Sequence, residues 1–283
     1  MSEGASISLI ESVILGFVQG VTEFLPVSSS GHLVILQHLF GAEEAQVLFD
    51  VMLHVGTLAA IFVVFRKDIA ELAKAAFGMV GGKRPESRYH EWMLKGIAVG
   101  CIPTAVIGLA FSQQFERLFA STTAAGIGLL ATGSILMSTA WKSRAGAGDN
   151  FSARIRLTQA LLIGAAQGIA IFPGISRSGA TIAVALVLGV ERESAARFSF
   201  LLAIPAILGA LAFEMKDYLH ATYSVPAAPG AAAMLLGMLV AAITGIIALK
   251  FLIGVVKKGK ISLFAYYCWA LGLLAVGYGF FKG

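Results

Sequence analysis

Charged residues are scarce in this chain. Asp, Glu, Lys and Arg make up 13% of its 283 residues, where a soluble globular domain carries about a quarter. Mean hydropathy is +0.84. An ordinary soluble domain is excluded, and an all-α polytopic membrane protein is implied. Cysteine is nearly absent. Cys101 and Cys268 lie inside apolar runs and read as small buried hydrophobes, so no disulfide framework is expected. The first basic residue is Arg66, so the cationic start of a secretory leader is not expected. The net charge is +5, but no basic stretch is interleaved with aromatics. Nucleic acid is therefore excluded as a partner, and the charge is assigned to loops at a membrane face.

What is present is apolar length. A hydrocarbon core of about 30 Å needs about 20 helical residues. Six runs qualify as full spans: 47–65, 92–112, 118–140, 197–213, 230–252 and 262–281. Four shorter runs, 8–24, 30–40, 158–172 and 179–189, are too short to cross. They come as two pairs, each flanking a Pro/Gly/Ser-rich break, and read as two re-entrant helical hairpins. Such backbone is tolerated at membrane depth where protein buries it or it lines a polar cavity.

The two breaks echo each other. Residues 19–32 read QGVTEFLPVSSSGH and residues 167–180 read QGIAIFPGISRSGA. A shift of 148 positions lays Gly16, Gln19, Gly20, Phe24, Ser28, Ser30 and Gly31 on Gly164, Gln167, Gly168, Phe172, Ser176, Ser178 and Gly179 without a gap. The likeness continues into FDVMLHVGTLAAIFVVFRKD, ending at Asp68, and FSFLLAIPAILGALAFEMKD, ending at Asp217. The expected architecture is one membrane domain built as a hairpin plus three spans, twice. Repeat 1 covers about 1–141, a linker 142–153, and repeat 2 about 154–283. Three crossings per repeat force the halves into opposite orientations, the inverted-repeat plan that puts a ligand site between half-helices. Loops 66–91, 141–157 and 250–260 hold most of the Lys and Arg, so the positive-inside rule puts them in the cytoplasm. The first hairpin then opens to the outside and the second enters from the cytoplasm.

Chemistry is expected where the echoes differ. The first carries Glu23 and His32 where the second has Ile171 and Ala180; the second carries Arg177 where the first has Ser29. Gln19 and Glu23 share a helix face and offer hard oxygen ligands for a divalent cation, Mg²⁺ or Ca²⁺. Ser28, Ser29 and Ser30 open one helix, and Ser176 and Ser178 flank Arg177 at the start of another. Hydroxyls and free N–H groups at a helix start cap the helix and also cradle phosphate. Arg177 adds a planar fork suited to bidentate phosphate contact. Thr181 lies four residues on, on the same helix face. His32 is a candidate general acid or base. Asp50 and His54 share a face of the first full span and read as structural support. Glu191, Arg192, Glu193 and Arg197 read as a solvated, partly paired cluster. The common ligand of the hairpins is an anion, best a phosphate.

With QGVTE at Gln19 to Glu23, LPVSSSGH at Leu25 to His32, PGISRSGAT at Pro173 to Thr181 and FSFLLAIP at Phe198 to Pro205, the chain resembles the bacterial undecaprenyl-diphosphate phosphatase family, also called bacitracin resistance proteins. The resemblance covers essentially the whole length. It implies hydrolysis of undecaprenyl diphosphate to undecaprenyl phosphate and inorganic phosphate, a divalent metal, and a multi-pass bacterial plasma-membrane protein that recycles the lipid carrier for cell-wall synthesis. It carries the family's essential residues onto Glu23, Ser29, His32, Ser176, Arg177 and Thr181. The family admits Glu or Gln at the first motif position, here Gln19. Ser29 is then a candidate nucleophile with His32 as its base or as the acid for the leaving group; a metal-bound water is the alternative nucleophile. A second class of function, a polyprenyl-phosphate flippase, fits the same inverted-repeat plan. A homodimer is compatible with the sequence, which does not fix oligomeric state.

The lopsided charge makes the topology testable. Single-Cys probes at Ala45 and Ser224 are expected to label from outside the cell, and probes at Gly82 and Gly148 are not. Labelling of Gly82 from outside would contradict the inverted arrangement.

Overall fold

A computed structural model describes residues 7–40, 47–82, 87–119, 121–144, 152, 154–220 and 230–282. Most of the expected linker 142–153, and positions 45, 148 and 224, lie outside the described residues. The described chain is helical: α1 Leu9–Phe24, α2 Ser29–Phe40, α3 Val47–Val64, α4 Arg66–Val80, α5 Arg88–Ala110, α6 Ser112–Phe119, α7 Thr122–Arg144, α8 Leu157–Ile169, α9 Arg177–Val187, α10 Arg192–His220, α11 Ala231–Lys257 and α12 Phe264–Lys282. Five helical stretches are long and apolar enough to cross a membrane: Arg88–Ala110, Thr122–Ala140, Arg192–Phe213, Ala231–Lys257 and Ile261–Phe280. The four short runs appear as α1, α2, α8 and α9, each pair joined by the expected break.

One expected span behaves differently. The chain turns by 83° at Phe65, between α3 and α4. Arg66, Lys67 and Asp68 follow immediately, and a charged triplet cannot prolong an apolar helix through hydrocarbon. The stretch expected as an open loop is instead largely helical. Along α4, Leu72 and Ala75 are buried while Lys74 and Phe77 are exposed, the pattern of a helix lying along a membrane interface.

Small residues set the helix spacing, as expected where apolar area alone gives no preference for helix over lipid. α1 buries Ser12, Leu15, Gly16, Gln19, Gly20 and Glu23 on one stripe and exposes Ile10, Val13 and Phe17 on the other. Its buried stripe lies on α11. A Cβ at Gly16 would meet the Gly237 carbonyl oxygen at 2.5 Å, Gly20 faces Ala241, and Phe24 packs at Gly245. The contacts advance together along both helices, so α1 and α11 run in the same direction. α8 lies on α5 in the same way. Gly164 meets Gly100, Gly168 meets Ile107, and Thr104 Oγ1 donates to the Gly164 carbonyl at 2.8 Å. The core between these pairs is aromatic and aliphatic, with Phe24, Phe49, Leu53, Ile61, Phe198, Leu202 and Leu249 fully enclosed.

The basic segments gather at one end. Arg197 pairs with Asp68 at 2.6 Å and Glu193 at 3.0 Å, and Lys257 reaches Glu193 at 2.9 Å. This ties the start of α4 to the start of α10 and the end of α11. Arg154 sits over the Trp92 ring at 3.8 Å, bringing the segment before α8 to the start of α5. Arg197 thus belongs to a cluster that also takes in Asp68 and Lys257, which the sequence reading had not joined to it.

Candidate functional site

The two breaks meet at the carboxylate of Glu23, and each second helix addresses it with its first residue. Pro26 ends the run of α1, and Leu25 is already extended at φ −62°, ψ 144°. The chain then passes through Ser28 at φ +67°, a left-handed conformation uncommon outside glycine. α2 starts at Ser29, whose Oγ donates to Glu23 Oε2 at 2.5 Å. In the second break the left-handed position is Gly174, at φ +86°, and α9 starts at Arg177. The Arg177 guanidinium forms an ion pair with Glu23 Oε1 through Nη2. Ser29 and Arg177 stand at equivalent positions of the echo, so one carboxylate accepts from both helix starts.

The caps repeat the same pattern. Ser28 Oγ accepts from the Gly31 amide at 3.2 Å and lies 3.1 Å from Ser30 Oγ. Ser176 Oγ accepts from the Gly179 amide at 3.1 Å and lies 3.3 Å from Ser178 Oγ. Ser30 and Ser178 also reach across. The Gly174 amide donates to Ser30 Oγ, and Ser178 Oγ donates to the Leu25 carbonyl, both at 3.4 Å. Thr132 on α7 fixes the second turn, donating to the Gly174 carbonyl at 3.0 Å and accepting from the Ser176 amide at 2.9 Å. Thr132 was missed from sequence, where it is one hydroxyl in an apolar span.

Glu23 is 7% exposed and Gln19 fully buried. Gln19 Nε2 donates to Glu23 Oε2 at 3.1 Å, while Gln19 Oε1 is buried with no hydrogen-bond partner. His54 on α3 lies within electrostatic reach of Glu23, and its Nδ1 is 2.8 Å from the Asp50 carbonyl, the one to which it donates. The polar lining of a small cavity beside the pair is Glu23, Arg177, Ser178, Thr181 and Ser199, and its apolar lining includes Phe24 and Phe200.

Two predicted side chains make their hydrogen bonds away from Glu23. Thr181 Oγ1 donates to the Arg177 carbonyl at 2.9 Å, back along its own helix. His32 does not meet Ser29: its Nδ1 lies 2.7 Å from the Ser28 carbonyl and its Nε2 2.6 Å from the Tyr267 hydroxyl. The group in contact with the Ser29 hydroxyl is Glu23.

No group of three or more His, Cys, Asp or Glu able to hold a metal occurs among the described residues, so a closed protein cage is absent there. The donors nonetheless fit a hard cation of another kind. Mg²⁺ is commonly held by one or two carboxylates plus substrate phosphates. Glu23 offers one such carboxylate, and the amide oxygen of Gln19, buried and unpartnered on the same helix face, would be the second oxygen.

This geometry can be set beside known proteins. The family model described as Bacitracin resistance protein BacA matches residues 12–274. An undecaprenyl-diphosphatase of Desulfatibacillum aliphaticivorans is 46% identical over 272 residues, covering 93% of this chain and 96% of that protein. One from Desulfosudis oleivorans is 47% identical over 272 residues with the same coverage, and one from Methanosphaera stadtmanae is 40% identical over 285 residues, covering 95% and 98%. Carried over nearly their full length, with the paired breaks inside the matched region, these likenesses place the chain in the bacitracin resistance protein BacA family.

Proposed function

We propose that this protein is an integral membrane undecaprenyl-diphosphatase, hydrolysing undecaprenyl diphosphate to undecaprenyl phosphate and inorganic phosphate and so recycling a lipid carrier. The observation that carries this reading is the convergence of Ser29 and Arg177, from two separate helix starts, on Glu23, in a chain whose near-full-length relatives are named for that activity. Those names also weigh against a pure flippase.

The architecture proposed for it is a pair of inverted repeats, each a re-entrant hairpin plus three spans. Three features support this. α5 begins, and α11 ends, at the end of the molecule where the basic residues gather. α8 runs with α5 and α1 runs with α11, so α8 starts from the basic end and α1 from the opposite one. The positive-inside rule makes the basic end cytoplasmic, and the site then opens through the first hairpin toward the outer face of a bacterial plasma membrane.

In the proposed mechanism the terminal phosphate of the lipid settles on the helix starts. Ser28, Ser30, Ser176 and Ser178 keep those starts in register, and their amides and the helix dipoles favour the anion. Thr181, bonded to the Arg177 carbonyl, secures the first turn of α9. Arg177 turns part of its fork from Glu23 to the phosphoryl oxygens. This releases the carboxylate to take the proton of Ser29, whose oxygen attacks the terminal phosphorus. The anhydride bond breaks and undecaprenyl phosphate leaves. Water then cleaves the phosphoserine, giving its proton to His32, and Ser29 regains its proton from Glu23. A divalent cation, Mg²⁺ or Ca²⁺, held by Gln19 and Glu23 together with the diphosphate, would neutralise charge on the phosphate oxygens.

Two measurements test this. Purified protein in detergent, where no second membrane face exists, is expected to release phosphate from undecaprenyl diphosphate. Arg177→Lys keeps the charge but loses the planar fork, and a fall of about 10²–10³ in kcat/KM is expected with folding intact. Arg192→Lys should be near neutral, since Arg192 donates to the Lys257 carbonyl at 3.4 Å, away from the site. Phosphate release by Arg177→Lys near the wild-type rate would sink the clamp, and none from wild type would favour transport.

The metal is tested separately. Hydrolysis should stop in excess chelator and return with Mg²⁺ or Ca²⁺. Glu23→Gln should impair that rescue far more than Gln19→Ala, because it removes the pair's formal charge. Full activity in excess chelator would refute the metal role.

A further inference from the structure

Tyr267, on α12, takes no part in the mechanism above, yet it makes a close contact with His32. The two rings are parallel, 2° apart in plane with centroids at 5.7 Å, and the Tyr267 hydroxyl is 2.6 Å from His32 Nε2. The other ring nitrogen settles who donates. Nδ1 lies 2.7 Å from the Ser28 carbonyl oxygen, which can only accept, so Nδ1 carries the hydrogen. In the neutral ring Nε2 then has a lone pair and no hydrogen, and the Tyr267 hydroxyl donates to it. The next residue strengthens the same junction, with Cys268 Sγ donating to the Pro26 carbonyl at 3.4 Å. α12 thus docks on the first break at two successive residues, one on the turn backbone and one on the imidazole. Tyr267 is 47% exposed and Cys268 fully buried, so the tyrosine stands at the outer edge of that junction.

We propose that Tyr267 is a positioning residue for the hydrolysis. Its hydroxyl holds His32 in the Nδ1–H form, with Nε2 as the single basic nitrogen, and turns off Nε2 when the water's proton arrives, then accepting from the new Nε2–H. This rests on the proton-accepting role given to His32 above. A histidine bonded only through Nδ1 could rotate about that bond; the second hydrogen bond, made edge to edge between near-parallel rings, removes that freedom. Tyr267 belongs to the second half of the chain and His32 to the first, so this contact, like Glu23 with Arg177, joins the two halves at the reacting groups.

Tyr267→Phe keeps the ring and removes only the hydroxyl. Three readouts are taken together on purified protein. In ¹⁵N-histidine-labelled wild type, the His32 signals, assigned by their loss in His32→Gln, should show a protonated Nδ1 and an Nε2 shifted by an accepted hydrogen bond. Tyr267→Phe should move Nε2 to the position of an unbonded ring nitrogen. The same substitution should lower kcat roughly tenfold, the scale of one lost hydrogen bond, with KM little changed. In a His32→Gln background it should cause no further loss, the non-additivity expected of a residue that acts through its partner. An unmoved Nε2 signal, or an equal loss with and without His32, overturns the positioning role while leaving His32 in place. Full activity of His32→Gln by itself overturns the proton-accepting role of His32, and with it the reason for positioning that ring.

Discussion

A buried carboxylate must be met by donors, and Glu23 organises the site for that reason. An isolated charge at the centre of a bilayer costs at least about 2.5–3.5 kcal/mol on insertion scales. Removing one partner from a buried pair leaves the other uncompensated, at a cost of about 3–5 kcal/mol. Glu23 is met from three directions, by Gln19 one turn earlier, Ser29 from the first break and Arg177 from the second. Gln19 faces it by helix spacing alone, Ser29 only through the first break and Arg177 only through the second. The Pro at the end of α1, the left-handed Ser28 and Gly174, and the glycine contacts that bring α1 against α11 and α8 against α5 all serve that meeting.

The two halves use one device and differ in its payload. Both breaks cap with a serine that accepts from the amide three residues on, and both present the next residue inward. In one half that residue is a hydroxyl and in the other a guanidinium, while the carboxylate occurs only in the first. Two like half-sites become one unlike pair, with the proposed nucleophile and the proposed phosphate clamp both bonded to a shared carboxylate. Gln167 stands at the position equivalent to Gln19. It is buried like Gln19 with its own Oε1 unpartnered, but with Ile171 where Glu23 would stand it offers no charge.

Much of this was legible in the sequence because the signals were local. The length of apolar runs separated short helices from spans, and the echo of Gln19–Ala180 motif positions named Glu23, Ser29 and Arg177. The apolar run 47–65 gave a helix of the right extent, but the 83° swing at Phe65 and the helical Arg66–Val80 were not read, since charge clusters alone look like a loop. The hydrogen bond from the Ser29 hydroxyl to Glu23 was not read from the sequence either. His32 is three residues away in sequence, whereas Glu23 is six away across a turn, and only the left-handed Ser28 brings the hydroxyl back over α1. Tyr267 and Thr132 were not legible at all. One looks like an interfacial aromatic and the other like a stray hydroxyl, and their roles come from contacts with His32 and with the second turn over long sequence distances.

The central claim is that two hairpins build one phosphate site. An experimental structure with a non-hydrolysable methylene-bridged polyprenyl diphosphate tests it most directly. The account predicts the terminal phosphate between Ser29 and Arg177, touching groups from both breaks, with at least one guanidinium nitrogen moved from Glu23 to a phosphoryl oxygen. A phosphate held by residues of a single hairpin, with the Glu23–Arg177 pair undisturbed, would contradict it.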